Sequence, residues 1–164
     1  MNYLISNNVS LKQYNTLRLE SMAHTVVYPL NSKGVKEIYN IYYPKKEIII
    51  LGNGSNILLS KDYYDENYIF LSFKLLDKLN LVSEKIIADA GVTLSNLSWF
   101  AVESGIKGYE FLEDIPGSIG GAIIMNAGTY EDTIGQLVKE VTYYDIKYDE
   151  IKEERVTDLD FGRR

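Results

Sequence analysis

Glu47-Ile48-Ile49-Ile50-Leu51-Gly52-Asn53-Gly54-Ser55-Asn56 is the stretch on which the reading of this chain turns. The apolar run ending at Leu51 predicts a short buried strand of a parallel sheet. The glycines behind it predict a tight turn that lets a backbone approach a ligand and aim N–H groups at it. Upstream, residues 25–30 read as a strand. Ser32 is placed to cap a helix with an apolar face of Val35, Ile38, Tyr39 and Tyr42, ended by Pro44. Strand, helix and strand in close succession make a βαβ unit. Ile57-Leu58-Leu59 and Tyr68-Ile69-Phe70-Leu71 read as further strands of the same lobe.

A second lobe is expected downstream. Residues 86–90 predict a strand. Thr93 is placed to cap a helix with a stripe of Leu94, Leu97, Phe100 and Ala101, which Gly105 ends. Residues 141–145 and 150–156 predict a hairpin around Lys147-Tyr148-Asp149. The expected division is a small α/β lobe over residues 1–76 and a larger α+β lobe over residues 77–164.

The larger lobe carries the second glycine-rich segment, Ile115-Pro116-Gly117-Ser118-Ile119-Gly120-Gly121-Ala122, followed by Met125-Asn126-Ala127-Gly128-Thr129-Tyr130. No charged residue falls between Ile115 and Tyr130. Two such segments suggest a phosphate-bearing ligand gripped from two sides. Familiar nucleotide motifs do not account for them. Gly52 and Gly54 give G-x-G, but Ile57 stands where a dinucleotide fingerprint needs its third glycine, and no G-x-x-x-x-G-K-[ST] occurs. A tight inter-strand turn and a close-packed helix start are the structural alternatives for the two segments. Ser55 and Asn56 weigh toward ligand binding, because both can donate hydrogen bonds to phosphate oxygens.

Composition narrows the function classes. The 164 residues are 46% apolar, which supports a real core. The formal charge of −6 disfavours a nucleic-acid-binding surface. The absence of cysteine excludes disulfides, thiolate metal sites and a cysteinyl cofactor link. One histidine, His24, leaves little material for a metal site or a Ser-His-Asp triad. No apolar run is long enough to cross a bilayer and no signal peptide is visible, so no membrane partner and a cytoplasmic location are expected.

At these segments the chain resembles the UDP-N-acetylenolpyruvoylglucosamine reductase family of peptidoglycan synthesis. The match rests on Asn15-Thr16-Leu17, on Leu51 through Asn56, on Gly108-Tyr109-Glu110-Phe111-Leu112 running into Ile115 through Ala122, and on Met125 through Tyr130, in family order. The resemblance implies an α+β, two-lobed FAD-binding domain similar to the PCMH-type flavin domains of vanillyl-alcohol-oxidase-like enzymes. It also implies FAD held non-covalently, NADPH as co-substrate, a UDP-sugar as substrate, and a role in cell-wall biogenesis, cell shape and division. The implied cofactor-binding residues are Gly52, Asn53, Gly54, Ser55, Asn56, Pro116, Gly117, Ser118, Gly120, Gly121, Asn126, Gly128 and Tyr130. Neutral donors would hold the pyrophosphate, with no lysine expected nearby. The family reaction reduces an enolpyruvyl double bond, and a cation stabilises the enolate-like charge that develops. The family's Phe-Gly-Tyr-Arg motif matches Phe161-Gly162-Arg163-Arg164, which gives Arg164 the catalytic role by position.

The chain also departs from the family. Arg163 replaces a tyrosine, Glu20-Ser21 stands where two glycines are usual, and Glu131-Asp132 replaces another glycine pair. The family arginine is followed by a further domain that supplies a serine proton donor and a glutamate. These 164 residues alone are therefore expected not to complete the reaction. The alternative is a non-catalytic or partner-dependent paralogue that binds FAD or another nucleotide. A monomer is expected. His24 is read as a surface or strand-edge residue, Trp99 as core or lobe interface, most of the 14 tyrosines as half-buried strand positions, and the acidic stretch 149–160 as a solvated strand face with no metal.

Overall fold

The computed structural model describes residues 1–158 and Phe161. A five-stranded sheet forms its first half, built from β1 (Tyr3–Ser10), β2 (Met22–Pro29), β3 (Glu47–Leu51), β4 (Tyr63–Tyr64) and β5 (Tyr68–Ser72). The order is β1-β2-β5-β3, with β4 beside the start of β2. β1 runs antiparallel to β2, while β3 and β5 are parallel, with Ile49 opposite Phe70. Helix α1 (Ser32–Tyr42) is the crossover between β2 and β3. The expected βαβ unit is therefore present, with β5 inserted between its two strands.

Strand alternation divides the apolar residues between two faces. Val26, Phe70 and Leu51 pack on one face with Leu11, Ala23, Tyr28 and Tyr64. Val27, Ile69 and Leu71 pack on the other against Ile38 and Tyr39 of α1. Phe70 is fully buried, and burying a side chain of that size contributes roughly 2–3 kcal/mol.

A separate core follows. β6 (Leu79–Val82) and β7 (Lys85–Ala88) form a hairpin. Helices α2 (Leu94–Glu103), α3 (Ile119–Met125) and α4 (Ile134–Leu137) bury Leu94, Leu97, Ile119, Ala122 and Ile134 together with Val92 and Leu112. The last hairpin, β8 (Glu140–Asp145) and β9 (Glu150–Arg155), pairs Asp145 with Glu150 around the expected turn. It returns to α1. The Tyr144 ring lies 5.3 Å from that of Tyr39, and the Lys36 ammonium donates to the Asp149 carbonyl at 2.6 Å.

Several expectations need correction. Residues 47–51 form an edge strand, because β5 takes the central place, and Ile50 is 56% exposed. Residues 57–59 are not a strand. The chain leaves the sheet after the glycine turn, and Leu58 is 74% exposed. The cap of α1 is Asn31, whose side-chain oxygen accepts from the Gly34 N–H at 2.9 Å. Trp99 lies on the outer face of α2 and is 58% exposed. His24 lies half-buried on β2, which is an inner strand rather than an edge, with Nδ1 2.9 Å from the Thr25 hydroxyl. Two other readings stand. Thr93 caps α2 by accepting from Asn96 N–H at 3.2 Å. Gly105 takes φ +72° just past its end.

Candidate cofactor-binding site

The two glycine segments meet. Turn 52–56 follows β3 directly, at the carboxyl end of a parallel strand, where open sheets commonly place their ligands. Gly54 (φ +70°) lies flat on the preceding loop, and a Cβ there would stand 1.9 Å from the Tyr14 carbonyl oxygen. The Gly54 carbonyl in turn accepts from Thr16 N–H at 3.2 Å. Asn15 fixes that loop. Its buried side chain donates to the Leu11 carbonyl at 2.8 Å and accepts from Leu19 N–H at 2.8 Å. The Asn-Thr segment and the first glycine turn are thus one packed unit.

The second segment approaches from the other side. A Cβ on Gly52 would stand 2.8 Å from the Ser118 hydroxyl, and one on Gly117 would come 3.8 Å from the Ser55 hydroxyl. The Asn56 amide reaches Met125 Sδ at 3.5 Å. Glycine at position 52 permits this approach, since any side chain would push into Ser118.

The first two amides of α3 are committed within the protein. Ile119 N–H donates to the Val92 carbonyl at 2.8 Å and Gly120 N–H to the Ala90 carbonyl at 2.9 Å. Gly120 is small for packing, because its Cβ would meet the Ala90 Cβ at 3.0 Å. The Ser118 hydroxyl differs: it is buried and, among the described residues, has no hydrogen-bond partner. Leaving such a group unpaired costs about 1–3 kcal/mol. A hydroxyl donor held at the junction of two close-approach glycines fits the phosphate oxygens of a dinucleotide cofactor. The neutral donors Asn53, Ser55 and Asn56 at the rim fit them as well.

A cleft of about 210 Å³ opens at this junction. Gly52, Asn53 and Ser118 line it, together with residues that the sequence reading missed: Tyr14, Lys74 and Asp77. Lys74 corrects the expectation that no lysine lies nearby. It lies two residues past the end of β5, whose carboxyl end lies beside that of β3, a neighbourhood that only the strand pairing reveals. Its ammonium stands 5.4 Å from the Tyr14 ring centre. The Tyr14 hydroxyl lies 2.7 Å from that of Tyr28, whose phenol is pushed well above its ordinary pKa by burial and by this contact. The Tyr28 phenol is therefore neutral at physiological pH. A second groove of about 200 Å³, lined by Asn15, Thr16 and Arg18, adjoins the cleft through Gln13 and Asn53.

Other expected site residues lie apart. Pro116 is exposed ahead of the junction. Asn126 ends α3 at φ 41° and accepts from Gly135 N–H at 3.2 Å. Gly128 packs against the Asp132 carbonyl, where a Cβ would come within 2.1 Å. The Asp132 carbonyl also accepts from Thr129 N–H at 2.8 Å, so Glu131-Asp132 forms part of a tight turn. Tyr130 on that turn is fully exposed. Phe161 packs its ring on Gly135, while Arg164 lies outside the described residues. The Glu20-Ser21 replacement is accommodated: Glu20 pairs with Lys12, and the Ser21 hydroxyl donates to the Lys61 carbonyl at 2.8 Å. Among the described residues no cluster of His, Cys, Asp or Glu could hold a metal ion, and no helix is long and apolar enough to cross a membrane.

A mostly parallel sheet followed by a helical lobe, with two glycine turns facing one cleft, defines a domain of the nucleotide-cofactor-binding kind. Residues 23–147 match the family described as FAD binding domain, and the chain belongs to that family. Its relatives are UDP-N-acetylenolpyruvoylglucosamine reductases. That of Francisella tularensis is 37% identical over 160 residues, which cover 98% of this chain and 56% of the relative. The crystal structure of the UDP-N-acetylenolpyruvylglucosamine reductase from Thermus caldophilus superimposes with a TM-score of 0.76 at 26% identity, over 99% of this chain and 56% of that one. Aclacinomycin oxidoreductase shares the fold, with a TM-score of 0.67 at 11% identity over 94% of this chain and 34% of that one. The α+β flavoenzyme architecture expected from the motifs is therefore the one found. The chain spans about half the length of the curated relatives it matches.

Proposed function

We propose that this chain is the FAD-binding part of an NADPH-dependent oxidoreductase that reduces the enolpyruvyl group of a UDP-N-acetylglucosamine derivative to a lactyl group. The observation that carries the reading is the buried, partnerless Ser118 hydroxyl against Gly52. FAD supplies hydride-transfer chemistry when bound. The chain's own work is to hold it. The Ser118 hydroxyl donates to a diphosphate oxygen, Asn53, Ser55 and Asn56 donate from the exposed rim, and Gly52, Gly117 and Gly121 keep the approach open. Gly54 and Gly120 serve the same site by packing its two walls.

Asn126, Gly128 and Tyr130 are assigned to the outer course of the cofactor, beyond α3. Arg164 is assigned the electrophilic role, stabilising negative charge that develops on the substrate. Residues 1–76 and 77–164 are taken as the two lobes; the buried residues of the apolar cores fall on either side of Asp77, while the β8–β9 hairpin packs Tyr144 back against α1. The reading further assigns the protein to peptidoglycan synthesis in the cytoplasm, with consequences for cell shape and division. It also assigns a monomeric state and no nucleic-acid or membrane partner.

The test is reconstitution with FAD followed by gel filtration. Retained flavin at one per chain, with bands near ~370 and ~450 nm, is the expected result. Folded but colourless protein would overturn the assignment.

A further inference from the structure

The cleft carries a charge arrangement that donor geometry alone does not explain. Its wall includes one cation, Lys74, and one carboxylate, Asp77, close to the Ser118–Gly52 junction. A diphosphate brought there meets Asp77 as a like charge in a protein that is already acidic, with formal charge −6. Neutral hydroxyl and amide donors orient phosphate oxygens but leave that repulsion unbalanced. Among the described residues Lys74 belongs to none of the ion pairs, which join Lys12, Lys36 and Lys152 to their acids. Its ammonium instead stands by the face of Tyr14, whose hydroxyl is anchored by Tyr28. That contact holds the charge on the cleft wall, and among the described residues no carboxylate is paired with it.

We propose that Lys74 is the counter-charge for the diphosphate of the bound cofactor and that Asp77 opposes the same group, so that the pair sets cofactor affinity in opposite senses. This rests on the FAD reading above. It extends that reading to a residue lying outside both glycine segments.

The test is FAD titration by quenching of flavin fluorescence, at several KCl concentrations, on the wild-type chain and on Lys74→Met, Lys74→Arg, Asp77→Asn and Arg18→Met. Arg18 lies in the adjoining groove and serves as a control for the same loss of charge. Lys74→Met is expected to weaken binding about 10–50-fold and to flatten its salt dependence, the loss of one charge-assisted contact. Lys74→Arg should recover to within about threefold, Asp77→Asn should tighten binding about 2–5-fold, and Arg18→Met should stay within about twofold. Equal losses in Lys74→Met and Arg18→Met, or a Lys74→Met affinity within twofold of wild type, would overturn the inference. Circular dichroism of each variant identifies any that lose the fold. If the wild-type chain itself takes up no FAD, the underlying reading fails and this inference falls with it. Failure confined to the Lys74 and Asp77 variants leaves that reading intact.

Discussion

The two glycine-rich segments look alike in sequence and do different work in the fold. The first, residues 52–56, presents polar side chains to solvent and lies on the loop of Tyr14 and Asn15. The second, residues 115–122, spends its first two helix amides on the carbonyls of Val92 and Ala90 and keeps one hydroxyl, that of Ser118, unpaired among the described residues. A glycine run therefore does not by itself mark a cradle of free N–H groups. Some glycines are there so that two walls can touch, and one side chain between them is left to do the binding.

The largest effect that would break this comparison is expected at Gly54. Gly54→Ala forces a methyl group into the Tyr14 carbonyl at a left-handed φ, and should destabilise the fold by more than about 3 kcal/mol in urea denaturation. A stable, FAD-binding variant would show that the first turn is not seated on that loop. Gly52→Ala comes next. Its new Cβ would lie 2.8 Å from a movable hydroxyl, so the fold should survive while FAD affinity falls about 10–100-fold by titration.

Ser118→Ala sharpens the contrast, because stability and binding should move apart. Removing a buried unpaired hydroxyl should leave the melting midpoint unchanged or slightly raised, while affinity drops about tenfold. Gly120→Ala should do the reverse, costing about 1–2 kcal/mol through overpacking on Ala90 with affinity changed less than about threefold. A large affinity loss there would return the second segment to the role of an amide cradle.

The smallest effect lies away from both turns, where the β8–β9 hairpin meets α1. The Asp149 carboxyl is held below its ordinary range by the Tyr144 hydroxyl and by Lys36. That contribution is present above the ordinary carboxylate pKa and is lost as pH falls through the lowered value. Denaturation midpoints of wild type and Asp149→Asn should therefore differ slightly at pH 6 and converge below about pH 4.

Much of this was legible in the sequence, and what was missed has physical causes. Helical spacing identified the buried face of α1, and Thr93 and Gly105 marked the ends of α2, because these signals are local. Periodicity could not tell that β5 would take the centre of the sheet and leave β3 at its edge, because strand order is set by tertiary pairing. The apolar triplet 57–59 looked like a strand and is not one: the chain leaves the sheet after the turn, and Leu58 is exposed. In the site, the glycines and Ser118 were readable as motifs. Lys74, Asp77 and Tyr14 were not, because only the juxtaposition of the ends of β3 and β5 with the loop before Asn15 brings them to one cleft.

The central claim is that Gly52 and Ser118 act on the cofactor as one junction, and a double-mutant cycle on FAD affinity tests it most directly. Gly52→Ala displaces the Ser118 hydroxyl, so adding Ser118→Ala should cost nothing further, and the double variant should bind FAD no more weakly than Gly52→Ala alone. Losses that add in full, as they would at two independent sites, would contradict the account.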